Sequence, residues 1–370
     1  MFGSRNFLFA KSAISAVFNG KLFMWGRNSY GQLGLGNTTT YSSPKQVGAL
    51  TDWGTLSSNY TNLCTKGNGQ LWAWGRGYGG ALGIGNTTNY SSPKQIGALT
   101  NWSNPAAGDA SSFCIKTDGT LWAWGSNYGK LGLGNATNYS SPKQVGGLSN
   151  WAKIVSKTNF SLATTTDGKL FAWGTNSYGV LGDGTTTSRS SPVQVGALTT
   201  WATPTTGVNH SLCVKTDGTL WAWGRNNNGQ LGQDNTTNYS SPKQVGALTN
   251  WNIPSAGINF SICSKTDGTL WAWGLNDSGQ LGLNNTLSFS SPVQVGSLLT
   301  WSKPSTGDGF THCVKTDGTL WAWGFNGRGA LGTGNTTSFS SPVQVGALTT
   351  WVQSSTGFGA LASAGCTQTP

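Results

Sequence analysis

The chain of 370 residues contains no glutamate and only two histidines. All eleven acidic residues are aspartates, and charged residues of both signs make up only 9% of the chain. Long helices normally use glutamate, so its absence favours strands and turns. Acid–base catalysis usually needs a carboxylate pair or a histidine with a partner, so this composition argues against an enzyme.

Hairpin turns rather than catalysis account for many of the acidic residues. Five aspartates occupy the Asp-Gly dipeptides of the predicted hairpins, namely Asp118, Asp167, Asp217, Asp267 and Asp317. A G-x-G-x-x-G occurs at Gly75, Gly77 and Gly80, but it does not open a helical pattern. The chain lacks the G-x-S-x-G, C-x-x-C and Walker-type motifs. We therefore expect no catalytic residue, no cofactor and no metal.

Charge and hydropathy exclude two further classes. The net charge is +11, but no run of basic residues is present, whereas nucleic-acid-binding proteins usually concentrate their positive charge. Sequence-specific nucleic-acid binding is therefore not expected. No apolar run reaches the length of a membrane span, and Lys11 interrupts the apolar N-terminal stretch, so neither a membrane span nor a signal peptide is expected.

The six cysteines follow a register and do not suggest a disulfide framework. Five of them lie ten residues before a tryptophan of a W-G pair: Cys64, Cys114, Cys213, Cys263 and Cys313. Ser15 and Ala163 fill the same position elsewhere, and Cys366 stands alone. Exchange of cysteine with serine or alanine predicts a small, buried and unpaired core position, consistent with synthesis in a reducing compartment.

A repeat dominates what is present. The segment KTDGTLWAWG at 116–125 returns at 215–224, 265–274 and 315–324, with near copies in three further places. The tryptophans of the W-G pairs are spaced by 49 or 50 residues: Trp25, Trp74, Trp124, Trp173, Trp223, Trp273 and Trp323. A second series runs from Trp53 to Trp351. A fixed period of this length predicts a propeller or another repeat architecture.

Each repeat predicts four strands. In the fifth full repeat they are 251–257, 260–265, 269–274 and 292–298, with Asp-Gly forming the hairpin between the second and third. Trp271 and Trp273 share one face of strand three, and Leu270 and Ala272 share the other. We expect the bulky face of one sheet to pack on the small face of its neighbour. The fold class predicted is all-β, a seven-bladed β-propeller of four-stranded blades.

We expect a single domain, 1–370, whose ring is closed by N- and C-terminal strands in one blade. The segment 351–365 would complete the first blade, which is formed by residues 7–50, and would contribute one or two strands. Residues 351–357 would provide the inner strand, and the N-terminus would begin near strand two. Seven prolines would open the outer fourth strand, where proline is tolerated: Pro44, Pro93, Pro142, Pro192, Pro242, Pro292 and Pro342.

The pattern W-G-x-N-x-x-G-Q-L-G resembles the repeat of the regulator of chromosome condensation family. It stands here as WGRNSYGQLG at 25–34, WGRNNNGQLG at 223–232 and WGLNDSGQLG at 273–282, and the resemblance covers essentially the whole chain. It implies a seven-bladed propeller but no single function, because members include a nucleotide-exchange factor, β-lactamase inhibitors and many bacterial and phage proteins. No inserted wedge or basic tail is present here, and the near-identical blades resemble the bacterial and phage members most.

Variation against this uniform background marks a candidate binding face. The loops that follow each W-G pair differ mainly in arginine and aromatic residues, which protein interfaces favour. The candidates are Arg27, Tyr30, Arg76, Tyr78, Tyr128, Tyr178, Arg225, Phe325 and Arg328. Surface drift after duplication would give the same variation, so this alternative stays open.

Three functions remain. The first is a non-enzymatic protein-interaction scaffold, as a structural or host-attachment component of a phage particle that contacts other virion proteins or a host receptor. It would be located in the virion if phage-encoded, and otherwise in the cytoplasm. The second is a carbohydrate-binding propeller whose tyrosine or phenylalanine side chains stack on glycans. The third is an enzyme inhibitor that binds through the same tyrosine and arginine loops, as the resemblance implies for some members.

Overall fold

The structure, a computed structural model, describes residues 20–357 and 362–368. In these residues it is all β apart from a short 3-10 helix, Tyr78–Gly80. Its 28 strands form five four-stranded sheets and one eight-stranded sheet. No helix in the described part of the chain is long and apolar enough to cross a membrane.

The five four-stranded sheets are antiparallel meanders of consecutive strands. Two of them consist of β7 (Trp102–Ala107), β8 (Ser111–Lys116), β9 (Leu121–Gly125) and β10 (Tyr139–Gln144), and of β11 (Trp151–Ser156), β12 (Phe160–Thr165), β13 (Leu170–Gly174) and β14 (Arg189–Gln194). Two more consist of β15 (Trp201–Thr206), β16 (His210–Lys215), β17 (Leu220–Gly224) and β18 (Tyr239–Gln244), and of β19 (Trp251–Ala256), β20 (Phe260–Lys265), β21 (Leu270–Gly274) and β22 (Phe289–Gln294). The fifth contains β23 (Trp301–Thr306), β24 (Phe310–Lys315), β25 (Leu320–Gly324) and β26 (Phe339–Gln344).

The eight-stranded sheet consists of two halves of four strands each. One half is β3 (Trp53–Ser58), β4 (Thr61–Lys66), β5 (Leu71–Gly75) and β6 (Tyr90–Gln95). The other half runs β27 (Trp351–Thr356), β28 (Ala362–Gln368), β1 (Gly20–Gly26) and β2 (Tyr41–Gln46). A single residue pair, Gly20 with Trp53, joins the halves. We call each half, like each four-stranded sheet, a four-strand unit, and number its strands one to four.

The unit that contains both ends of the chain differs in detail from the sequence expectation. We expected the N-terminal repeat to reach back to strand two, but this segment lies outside the described residues. The structure places β28 in the strand-two position, between β27 and β1. Leu22 pairs with Cys366 and Met24 with Ala364. Two strands from each end of the chain thus share one unit.

The fourth strand of each unit begins earlier than the prolines indicated. In β22 it starts at Phe289 rather than Pro292, and it ends at Gln294. Gly274 pairs with Phe289 and Ala272 with Val293, so three residues of β22, 290–292, lie opposite the single residue Trp273 and form a bulge that includes Pro292. Because a proline has no N–H to donate, it is tolerated within such an irregular edge. The strands one to three of this repeat agree with the sequence prediction within two residues.

Neighbouring units pack as the alternating faces predicted. Leu270 and Ala272 form one buried cluster with Trp301, Cys313 and Trp323 of the next unit. The indole Nε1 of Trp273 donates to the backbone carbonyl of Gln230 in the preceding unit at 2.9 Å. Most repeats have the same bond. The paired tryptophans therefore belong to the framework of the molecule.

The Asp-Gly turns also belong to the framework. Asp267 Oδ1 accepts hydrogen bonds from the Thr269 backbone N–H at 2.9 Å and from the Thr269 hydroxyl at 2.7 Å. These bonds hold the pKa of Asp267 below its usual value. Lys265 packs its ammonium 3.8 Å from the ring centroid of Trp271 and 4.7 Å from that of Trp251. Such cation–π contacts stabilise the ammonium group of a lysine that is largely shielded from solvent.

All six cysteines are buried and unpaired, as the register predicted for five of them. Burial raises the pKa of the Cys213 thiol to about 12. Cys366, which the sequence left isolated, lies on β28 close to Cys64, because both sulfur atoms approach the carbonyl oxygen of Gly54, at 3.9 and 4.0 Å. Their burial and high pKa values make these thiols unreactive packing groups.

Candidate binding face

The loops between strands three and four are held by a buried asparagine, the N of the W-G-x-N motif. Asn226 accepts a hydrogen bond from the Leu231 backbone N–H at 2.9 Å and donates to the Asn235 carbonyl at 2.9 Å. Equivalent asparagines in the other repeats are also fully buried, except where Gly77 replaces one. The residues on either side of the asparagine are exposed or half-buried, except Ser126, which is buried. Together with the loops between strands one and two, they form what we call the loop face.

Arg76 is the centre of an aromatic cluster on the loop face. Its guanidinium carbon lies 4.9 Å from the ring centroid of Tyr78, 5.2 Å from that of Tyr30 and 5.5 Å from that of Tyr60. Tyr30 and Tyr60 meet edge to face with centroids 5.8 Å apart. Arg27 lies 5.9 Å from the Tyr30 ring. A guanidinium among three rings has a restricted range of orientations, so the cluster is preorganised.

Tyr128 extends the cluster into the third repeat. Its side chain is 71% exposed, and that of Tyr78 is 51% exposed. A hydrogen bond with Tyr78 raises the pKa of Tyr128. The backbone of Tyr128 has a φ of 43°, in the left-handed region that bulky residues rarely adopt. Non-glycine residues held there are frequent at binding sites, and this strain favours a functional role for the side chain.

We define the tyrosine–arginine cluster by six residues. They are Arg27, Tyr30, Tyr60, Arg76, Tyr78 and Tyr128. Five of the nine residues predicted from sequence variation thus lie together. Burial raises the pKa of Tyr60, and the nearby carboxylates of Asp109 and Asp308 add to that effect, while Arg27 opposes it.

The other four predicted residues do not join this cluster. Arg225 stacks on Tyr178 at 5.2 Å, forming a separate pair in the fourth and fifth repeats. Phe325 and Arg328 lie in the loop of the last W-G repeat and are both exposed, with no ring or ion-pair contact to the cluster among the described residues. The nine residues predicted from sequence variation therefore lie at three separate places on the loop face.

Sequence reasoning missed two residues of this face. Tyr60 lies in a loop between strands one and two, where five other repeats have asparagine, glycine or alanine, and the same comparison of repeats would have found it. Lys157 stands where five repeats have glycine. Both substitutions place a large side chain where the repeat has a small one.

Lys157 closes one end of a central cavity of about 310 Å³ that is lined by strand one of every unit. Its ammonium donates to the backbone carbonyls of Ala256 and of Thr306, the latter at 2.7 Å, on two other units. Burial lowers the pKa of Lys157 to about 7. Hydroxyl groups in the cavity wall link neighbouring units. For example, the Thr306 N–H donates to Ser255 Oγ at 3.0 Å.

The histidines are packing residues. Burial lowers the pKa of both His210 and His312 to about 3. His210 Nε2 lies 3.0 Å from Ser261 Oγ, and His312 stacks on Trp25. In residues 20–357 and 362–368, no group of three or more metal-ligating side chains is present.

The fold and the repeats define an RCC1-like β-propeller protein. The model of the RCC1-like domain matches residues 100–364, and that of the regulator of chromosome condensation (RCC1) repeat matches residues 19–53 and 68–115. The chain therefore belongs to the RCC1-like domain family. No curated protein sequence matches it significantly.

Solved structures agree on the fold. Prp20p of Saccharomyces cerevisiae, whose structure was described together with its binding to Gsp1p and histones, has a TM-score of 0.85 at 21% identity, covering 96% of this chain and 93% of Prp20p. Yeast RCC1 (Prp20) bound to Kap60 has a TM-score of 0.84 at 20% identity, covering 100% and 97%. Human WBSCR16 has a TM-score of 0.84 at 18% identity, covering 95% and 99%. At these identities the likeness concerns the fold alone.

Proposed function

We propose that the chain is a single domain, a closed ring of seven blades, in which the unit β27–β28–β1–β2 is the blade that joins the two ends. This unit contacts a neighbour on each side, which supports the proposal. Trp25 Nε1 donates to the Ala330 carbonyl at 2.9 Å, and the Ser58 N–H donates to Ser355 Oγ at 2.9 Å. Residues 351–365 would then complete the first blade.

The function that this architecture supports best is a non-enzymatic protein-interaction scaffold that binds its partner through the loop face. The observation that carries the proposal is the tyrosine–arginine cluster, with its exposed aromatic rings and the strained backbone of Tyr128. Tyrosine and arginine are the residues from which interfaces draw most of their binding energy. The opposite face repeats one Asp-Gly turn with little variation. Prp20, a protein of the same fold, is described as binding Gsp1p, histones and Kap60.

The partner should be recovered by co-purification with the tagged chain from its native source. A variant with Tyr78→Ser and Tyr128→Ser should lose that partner, whereas Lys169→Ser, an exposed change on the opposite face, should retain it. Retention of the partner by both variants would contradict the assignment of the loop face.

We further propose that the protein is a component of a phage particle, structural or in host attachment, and that its partners are virion proteins or a host surface receptor. This proposal starts from the near-identity of the repeats, such as KTDGTLWAWG at 215–224, 265–274 and 315–324, which we interpret as a resemblance to bacterial and phage members of the family. Mass spectrometry of purified particles should detect the chain at a stoichiometry fixed from one preparation to the next. Detection only as a free protein in the cell would refute the virion assignment.

A carbohydrate ligand is a second candidate, which the 71% exposure of Tyr128 favours because a free tyrosine ring can stack on a sugar. A glycan array with the wild-type chain and the Tyr128→Ser variant tests it. Binding that the variant loses would support this function, and an array without signal would remove it.

A further inference from the structure

The charge on Arg76 is held in place and is not neutralised. Its three neighbouring rings position the guanidinium, but no carboxylate forms an ion pair with Arg76 or Arg27 among the described residues. Arg27 uses its Nε to bind the Ser29 hydroxyl at 2.9 Å. The N–H groups of Arg76 remain available. Since a guanidinium presents a planar fork of donors, it matches a carboxylate with two parallel hydrogen bonds.

The surroundings favour a carboxylate over a nucleic acid. Asp109 and Asp308 lie near enough to Tyr60 to raise its pKa, so negative charge already flanks the cluster and no continuous basic track surrounds it. Arg76 lies within 5.5 Å of the ring centroids of Tyr30, Tyr60 and Tyr78, so these rings already pack against a guanidinium. These features favour a single carboxylate presented on a protein over a nucleic acid, whose binding needs a basic track and open aromatic platforms.

We propose that the tyrosine–arginine cluster binds a glutamate or aspartate side chain from an acidic segment of the partner protein, with Arg76 as the bidentate donor. This inference rests on the proposed function of the loop face. Tyr78 and Tyr128 flank the salt bridge and exclude water from it, which strengthens a charged hydrogen bond. Arg27 supplies additional attraction at the edge of the cluster.

The test is fluorescence anisotropy with a short labelled polyglutamate peptide, and with polyglutamine as the neutral probe. Arg76→Gln should weaken polyglutamate binding about tenfold or more, as the loss of a charge-assisted bidentate pair implies. Arg76→Lys, which keeps the charge but loses the fork, should also weaken it. Lys143→Gln is the matched control, because Lys143 likewise stacks over a tyrosine, Tyr139, but lies on an outer strand. It should change the affinity less than about twofold.

Folding is monitored separately, since a change in the stacked cluster could disturb the loops. Thermal unfolding of the Arg76 variants should coincide with that of the wild type. Tyr78→Leu is a second variant that leaves Arg76 in place but removes one ring, and it should also weaken binding of the peptide. Equal binding of polyglutamate by Arg76→Gln and Lys143→Gln would overturn the proposal, because attraction would then come from the net charge.

Two other occupants are separated by the same experiment. An oligothymidylate that binds more tightly than polyglutamate, and through Arg76, would overturn the proposal in favour of a nucleic acid. Self-association that Arg76→Gln abolishes, without peptide binding, would overturn it in favour of a second copy. If polyglutamate fails to bind while the Tyr78 and Tyr128 substitutions still release the native partner, the carboxylate inference is wrong and the proposed function stands.

Discussion

Lys157 gives the protein a pH-dependent stability that can be calculated from its environment. Its pKa falls from 10.5 in the unfolded chain to about 7 in the folded cavity, because burial disfavours the charged ammonium. Between these values the unfolded state binds more protons than the folded state, so stability rises with pH across this window. From about pH 6 to about pH 9 this residue should add about 2.7 kcal/mol to the unfolding free energy. The residue keeps partial solvent exposure, so this figure is an upper limit.

The Lys157→Met variant isolates this contribution. Methionine keeps much of the apolar stem but has no amine, and the two carbonyls that it leaves unpaired cost the same at every pH. Urea unfolding followed by tryptophan fluorescence, at about pH 6 and about pH 9, gives the free energy for both proteins. The wild type should gain more stability than the variant over this range. Equal gains would refute the reasoning and mean that the ammonium stays charged in the cavity.

Three further predictions concern the framework. Trp273→Phe should lower the unfolding free energy by about 1 kcal/mol more than Trp173→Phe. The reason is that Trp273 Nε1 donates to the Gln230 carbonyl at 2.9 Å, whereas Trp173 Nε1 has no acceptor among the described residues. Equal losses in urea unfolding would contradict this role of the hydrogen bond. The cysteine thiols should resist Ellman's reagent in the native protein and react in urea, and rapid labelling of the folded chain would show that their burial is wrong. The C2 proton NMR signals of His210 and His312 should not titrate near pH 6.5, since both pKa values lie at about 3, and stability should fall as the pH drops from about 6.5 towards 3; a midpoint near the ordinary value would refute their burial.

Most of the strands were predictable because the same alternation of residues and the same turn signals recur in each repeat, and packing between the units favours the same strands. Phe260–Lys265 was predicted to the residue, since both its alternation and the following Asp-Gly turn are local. The start of β22 was missed because its pairing depends on the bulge at 290–292 opposite Trp273, which the sequence of β22 alone does not reveal. The strand-two position beside β1 could not be assigned from the N-terminal pattern alone, because β28 comes from the far end of the chain.

The binding face was predictable in composition but not in arrangement. Sequence variation identified Arg76 and Tyr78, but Arg225 and Arg328 carry the same signature without joining the cluster. Which of them meet depends on the placement of neighbouring units and on Tyr60, which comes from a different loop. Lys157 was missed because its hydrogen-bond acceptors lie across the cavity, on two units whose acceptors come 99 and 149 residues later in the chain.

The pairing of β1 with β28 has a consequence for how the chain folds. Every other unit is made of strands close in sequence, so its contacts can form as soon as the ribosome releases it. The edge of β1 must wait for a partner that lies more than 300 residues later. At ordinary elongation rates this delay is on the order of tens of seconds. During synthesis one edge of β1 therefore stays without its native partner until β28 has been made, and the unit cannot be completed before then.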